Sequence, residues 1–137
     1  MAKLNPYLTF NGNCREAMNF YKEIFGGELS LMTGGESPAA SQMPPQYHNA
    51  ILHSSLKTVD FEIMATDMVP DKFNEGNTVH LSLICKTEKE LRSLFEKLSA
   101  DAKISQPVDQ MFFGLMGTLT DKFAKSWLLV FETPQKA

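Results

Sequence analysis

Cysteine is scarce in this chain. Cys14 and Cys85 are the two it has among 137 residues, too few for a disulfide framework. Long apolar runs are missing too: no stretch approaches the roughly 20 apolar residues that span a bilayer. The opening Met1-Ala2-Lys3-Leu4-Asn5-Pro6 has no apolar core of the kind a secretory leader needs. The expectation is a cytoplasmic protein with no membrane partner. Neither sign of charge dominates, with 13 Lys and Arg against 16 Asp and Glu and a net charge of -3. That balance gives no electrostatic case for nucleic acid. Arginine is confined to Arg15 and Arg92, so no arginine cluster awaits an oxyanion. A glycine-rich phosphate loop, a nucleophile elbow and a CxxC metal pattern are all absent.

What remains is ordinary globular composition, 43% apolar and 21% charged. The length fits one domain or two small fused modules, burying roughly 68% of the surface an unfolded chain exposes.

Tyr7 to Phe10 reads as a short strand ending at the Asn11-Gly12 turn. Asn13 then caps a helix, with Glu16 at the capping-box position. Ala17, Met18, Tyr21, Ile24 and Phe25 recur at helical spacing, and Gly26-Gly27 stops the helix. Glu28 to Thr33 is the next strand. Gly34 to Gln46, rich in Gly, Pro, Ser and Ala, is a loop long enough to cover something. Extended segments follow at about 48–56 and 59–66, then a polar loop to Asn77 and a strand over 78–85. Thr87 caps a second helix with Glu90 at the box position and Leu91, Leu94, Phe95 and Leu98 on one face. Strands at about 103–108, 112–120 and 126–132 complete the order βαβββ, twice.

The halves match under a constant shift of 74 positions, which pairs Pro6 with His80, Phe10 with Ile84, Asn13 with Thr87 and Ala17 with Leu91. Strand, cap and apolar stripe stay together over this span, the mark of an internal duplication. One βαβββ unit leaves a sheet face bare. The expected fold is therefore α+β, a single domain over 1–137. Module 1 runs over about 5–67 and module 2 over about 78–133, curving into a half-barrel around a concave cleft.

Tyr7-Leu8-Thr9-Phe10-Asn11-Gly12-Asn13, Glu16-Ala17 and Phe20 to Gly27 resemble the opening module of PhnB-like proteins. These are a branch of the glyoxalase/bleomycin resistance/dioxygenase (vicinal oxygen chelate) superfamily. Gln110, Phe112-Phe113-Gly114, Gly117, Asp121, Phe123 and Trp127 resemble that branch's closing motif, and the likeness covers essentially the whole chain. Phe113 stands where the motif has Trp, and Ala124 where it has Gly. A glycine there serves a turn with positive φ, so Ala124 implies a strained or reshaped turn.

The resemblance implies a glyoxalase-like sheet and, in the superfamily's enzymes, one divalent metal held by His or Glu from the first and last strands of both modules. By the repeat register those places are Pro6 and His80, then Glu62 and Leu128. Proline and leucine cannot ligate, which leaves Glu62 and His80. They are residual metal ligands, a catalytic acid/base pair, or polar residues facing a wet cleft. The expectation is no resident cofactor.

His48 and His53, read on one strand five residues apart, fall on opposite faces. Cys14 at a helix start feels a dipole that lowers a thiol pKa, although a small packed residue is the plainer account. Phe112, Phe113 and Trp127, with Gln110 beside them in the motif, are the ligand-binding candidates. Methionines could add an adaptable lining. The branch's names invoke phosphonate metabolism or ubiquinone methylation, and no methyl-donor glycine motif supports the latter. Two functions compete. One is a binding module for a small organic molecule, slightly favoured by the missing ligands. The other is a lyase, isomerase or dioxygenase-type enzyme working through His80 and Glu62. The resemblance implies a homodimer, and exposed strand edges fit such pairing.

Overall fold

The structure, a computed structural model, describes residues 1–134. It divides into two compact units, Met1–Asn74 and a second beginning at Glu75. In the first, β1 (Tyr7–Thr9), α1 (Cys14–Phe25), β2 (Glu28–Thr33), β3 (Ile51–Lys57) and β4 (Glu62–Thr66) follow in order. In the second come β5 (Leu81–Ile84), α2 (Glu88–Leu98), β6 (Lys103–Met111), β7 (Gly114–Thr120) and β8 (Ser126–Glu132). Each unit is one four-stranded sheet, ordered β1-β4-β3-β2 and β5-β8-β7-β6, and neither sheet closes on itself. The βαβββ order expected from the pattern is present twice.

Each helix covers one face of its own sheet. In α1 the residues at helical spacing, Cys14, Ala17, Met18, Tyr21 and Ile24, are buried. They pack against the inward side of β2, β3 and β4, where Leu56, Ile63 and Ala65 are almost fully enclosed. A buried side chain of this size contributes roughly 1.5–3 kcal/mol. In α2 the buried stripe is Leu91, Phe95 and Leu98. A Cβ at Gly117 on β7 would stand 2.7 Å from the Phe95 ring, so the small residue lets helix and sheet meet closely.

The two helices begin differently. Asn13 makes no side-chain cap, contrary to the capping box read from its spacing to Glu16. Its place is taken by Asp67, just past β4. Asp67 Oδ1 accepts from the backbone N–H of Gly12 at 3.0 Å and of Cys14 at 2.9 Å. The parallel β1–β4 pairing, Tyr7 opposite Met64, carries the end of β4 to the start of α1 and makes this reach possible. Asp67 Oδ2 also accepts from Ile51 N–H at 2.9 Å, so one buried carboxylate ties three segments. In α2, Thr87 Oγ1 accepts from Glu90 N–H at 3.0 Å, and Glu90 reaches back to Lys86 N–H at 2.9 Å. That helix caps itself.

The repeat register also needs correction. Phe10 N–H donates to Thr66 carbonyl and Cys85 N–H to Val130 carbonyl, each closing the same strand pair. Phe10 therefore matches Cys85, not Ile84, while the helices keep the shift read from the sequence. The connector of the first unit is one residue longer, turning through Gly12 at φ 96°. A one-residue slip exchanges the faces of a strand. Asn5, not Pro6, thus matches His80. Tyr7 opposite Met64 and Ser82 opposite Leu128 make Leu128 the counterpart of Met64, and Glu62 the counterpart of Ser126.

Strand limits shift as well. His48 precedes β3 and sits in the loop, where its Nε2 lies 3.0 Å from the Ala40 carbonyl and 3.2 Å from that of Met43. β6 runs on to Met111, so Phe112 and Phe113 form a hairpin turn rather than the start of β7. Ala124 has φ 67°, the left-handed conformation its replacement of a motif glycine implied. Asp121 holds that turn: its Oδ1 accepts from Phe123 and Lys125 N–H, and its Oδ2 from the Trp127 indole at 2.8 Å. Among the described residues no helix is long and apolar enough to cross a membrane.

Candidate functional site

The face of the first sheet turned away from α1 is built by simple alternation. On β3, Ser54 and Leu56 point to the helix, with Ser54 Oγ 3.5 Å from Cys14 Sγ. His53, Ser55 and Lys57 therefore point the other way. Ser30 on β2 lies opposite Ser55, and Met64 on β4 lies on its other side. Glu28, Lys57 and Glu62 make the adjacent row across β2, β3 and β4. Glu28, Leu29, Ser30, His53, Ser55, Lys57 and Glu62 line a depression of about 450 Å³. This falls within the range of small-molecule sites, and its lining is more polar than usual.

Glu62 is the best-held polar group of the set. Its side chain is 15% exposed. Ser55 Oγ donates to Oε2 at 2.7 Å, and the Lys3 ammonium lies 3.5 Å from Oε1. The Ser55 hydroxyl first, with Lys57 and Lys3 adding, holds the Glu62 carboxyl below the usual carboxylate range despite partial desolvation. At neutral pH it is a carboxylate, able to accept hydrogen bonds or a proton, and poorly suited to donate one. On the same face His53 stacks on Tyr7, with ring centroids 6.3 Å apart and planes 23° apart.

The other sequence-derived candidates lie in the second unit. His80 is exposed, immediately before β5. Gln110, at the end of β6, is exposed and donates from its side-chain amide to the Met111 carbonyl. Phe112 is 94% exposed at the hairpin tip, edge-on to the half-buried Phe113 at 5.1 Å. The hairpin thus brings Gln110, Phe112 and Phe113 to one end of the sheet. Trp127 is elsewhere: 1% exposed, opposite Leu81 and Leu119 on the helix-facing side. Its ring is core, and its polar edge is spent on Asp121.

Cys14 is fully buried, and burial pushes its thiol up to about 11, outweighing the hydrogen bond it shares with Ser54. The lowering expected from the helix dipole is overridden by desolvation. Cys85 is likewise raised to about 11 by burial and then by Glu90.

The donor set does not fit a resident metal. With the register corrected, the four matched places are Asn5 and His80, just before β1 and β5, and Glu62 and Ser126 at the start of β4 and β8. A neutral amide and a hydroxyl are weak ligands. Among the described residues no three His, Cys, Asp or Glu side chains come together to hold an ion.

Sequence reasoning passed over Glu28, Ser30, Ser55 and Lys57, and took His53 for a sheet residue. The polar alternation His53, Ser55, Lys57 between apolar Leu52 and Leu56 was the available signal.

Comparison with known proteins bears on the whole chain. A family model described as 3-demethylubiquinone-9 3-methyltransferase matches residues 2–130. Protein YjdN of Escherichia coli K12 is 29% identical over 136 residues, covering 92% of each chain. The crystal structure of protein PA1353 from Pseudomonas aeruginosa superposes with a TM-score of 0.86 at 31% identity, over 98% of this chain and 100% of that one. A PhnB protein from Bacillus cereus superposes with a TM-score of 0.75 at 28% identity, over 95% and 99% of the two chains.

Proposed function

This chain belongs to the 3-demethylubiquinone-9 3-methyltransferase family, in the PhnB-like branch of the glyoxalase/bleomycin resistance/dioxygenase superfamily, and we propose that it binds a small polar organic molecule on the open face of its first sheet. The observation that carries this reading is the depression lined by Ser30, His53, Ser55, Lys57, Glu28 and Glu62. These side chains converge from three strands held rigid by α1 behind them, so the polar groups are positioned before a ligand arrives. The lining favours hydrogen-bonding and charged ligands over the flat aromatic ones that Phe112, Phe113 and Trp127 first suggested.

A fragment screen read by amide NMR tests this. Polar fragments shift the resonances of Ser30, His53, Ser55 and Glu62 in a saturable way, and Ser55→Ala weakens them. Hits confined to the Gln110–Phe113 hairpin, with none on β2, β3 and β4, overturn the reading.

The enzyme alternative has one observation in its favour. A carboxylate held ionised beside a serine hydroxyl can take a proton from a bound molecule. Any turnover found with a fragment hit must then fall sharply in Glu62→Gln, and a role for His80 requires the same of His80→Ala.

A further inference from the structure

The contacts of Glu62 say more about the ligand, on the footing that the site binds a small molecule at all. One carboxylate oxygen, Oε2, is committed to Ser55 at 2.7 Å. The other, Oε1, is met by the ammonium of Lys3 at 3.5 Å, a residue of the segment before β1 whose side chain is 71% exposed. That distance is longer than a good charge-assisted hydrogen bond, and an exposed lysine holds such a pair weakly. A half-buried carboxylate on the wall of the depression is thus matched by a loosely held cation from the chain's own N-terminal segment.

The rest of the lining agrees. It carries two carboxylates, Glu28 and Glu62, against one ammonium, Lys57, which stands between them in register. Lys3 balances that charge while it stays on Glu62; once it is displaced the excess is negative, so a cation is favoured over an anion of the same size in its place. The hydroxyls of Ser30 and Ser55 have oxygen lone pairs to accept further N–H groups.

We propose that this depression recognises small molecules bearing a primary ammonium group, which pairs with Oε1 of Glu62 in place of Lys3. The N-terminal lysine then acts as an internal competitor that the ligand displaces.

The test uses the full chain at neutral pH, titrated with n-butylammonium chloride, sodium butyrate and 1-butanol as size-matched probes, followed by amide NMR. Butylammonium should shift Ser55 and Glu62 saturably and more tightly than the other two, with binding weakened by added salt. Lys3→Ala should tighten it about two- to fivefold, the scale of a weak exposed pair. Glu62→Gln, which retains an oxygen for the Ser55 hydroxyl and so preserves the fold, should weaken it about tenfold or more. Butyrate or butanol binding at these residues as tightly as butylammonium overturns the ammonium assignment and leaves the binding reading standing. Tightening absent in Lys3→Ala also overturns it. If neither these probes nor the broader fragment set shifts these residues, both readings fall together.

Discussion

Replacing Asp67 tests whether a carboxylate from the end of β4 truly anchors the start of α1. Its two oxygens take three backbone N–H groups, from Gly12, Cys14 and Ile51. Gly12 is exposed and can turn to water when the partner is lost. Cys14 and Ile51 are buried and cannot. An orphaned buried donor costs about 1–3 kcal/mol, and loss of a helix cap about 1 kcal/mol. The cap is one of these two orphaned donors, so Asp67→Ala should destabilise the protein by about 2–6 kcal/mol, much of the stability of a small domain. Asp67→Asn is the sharper probe. Its carbonyl oxygen can keep the Gly12 and Cys14 bonds, but its NH₂ then faces Ile51 N–H, donor against donor. The cost should be about 1–3 kcal/mol, from that single orphan. Urea unfolding of both variants gives the totals, and amide hydrogen exchange locates them. Protection should fall at Ile51 in both variants and at Cys14 mainly in Asp67→Ala. The first turn of α2, capped by its own Thr87, should be unaffected. A loss below about 1 kcal/mol in Asp67→Ala, or equal losses in the two variants, would refute the reasoning.

The turn at Ala124 should be relieved by glycine: Ala124→Gly removes the left-handed strain, offset by greater unfolded-chain freedom, for a net gain of about 0.5–1 kcal/mol in urea unfolding. An unchanged or lower midpoint would show that the turn carries no strain. Gly117→Ala should cost about 1–3 kcal/mol, because its methyl meets the Phe95 ring at 2.7 Å and Val108 Cγ2 at 3.0 Å; near-wild-type stability would mean that α2 shifts freely. The two thiols ordinarily ionise at 9.0, and in the folded chain at about 11. Stability present below pH 9 should therefore be lost as pH rises toward 11. The native protein should resist alkylation at pH 8 until unfolded, and rapid labelling of Cys14 would contradict its burial. The chain should sediment as a homodimer at micromolar concentration, and a monomer would retire that expectation.

Much of the architecture was written in local pattern. Both helices followed from residues at 3.6 spacing with glycine or a hydroxyl at an end, and the duplicated βαβββ order followed from those elements in sequence. The motif glycine replaced by Ala124 pointed to a strained or reshaped turn, and the structure decides for the strained, left-handed one. The family likeness was equally visible, being a matter of residue identity along the chain.

Other features depend on which segments meet. Asp67 lies 53 residues from the Cys14 amide it caps, and nothing near Asn13 reveals that its expected role is filled from β4. The slip that matches His80 to Asn5 comes from one extra residue in a turn. An apolar stripe cannot register it, while a β-ladder must, because each step along a strand changes face. Trp127 looked like a ligand platform until the structure set its ring against the core and its N–H on Asp121. The depression itself is assembled from β2, β3 and β4, and only strand register places Ser55 beside Glu62. Helices and turns are settled by neighbours in sequence; a site is settled by neighbours in space, and those exist only once the sheet has paired.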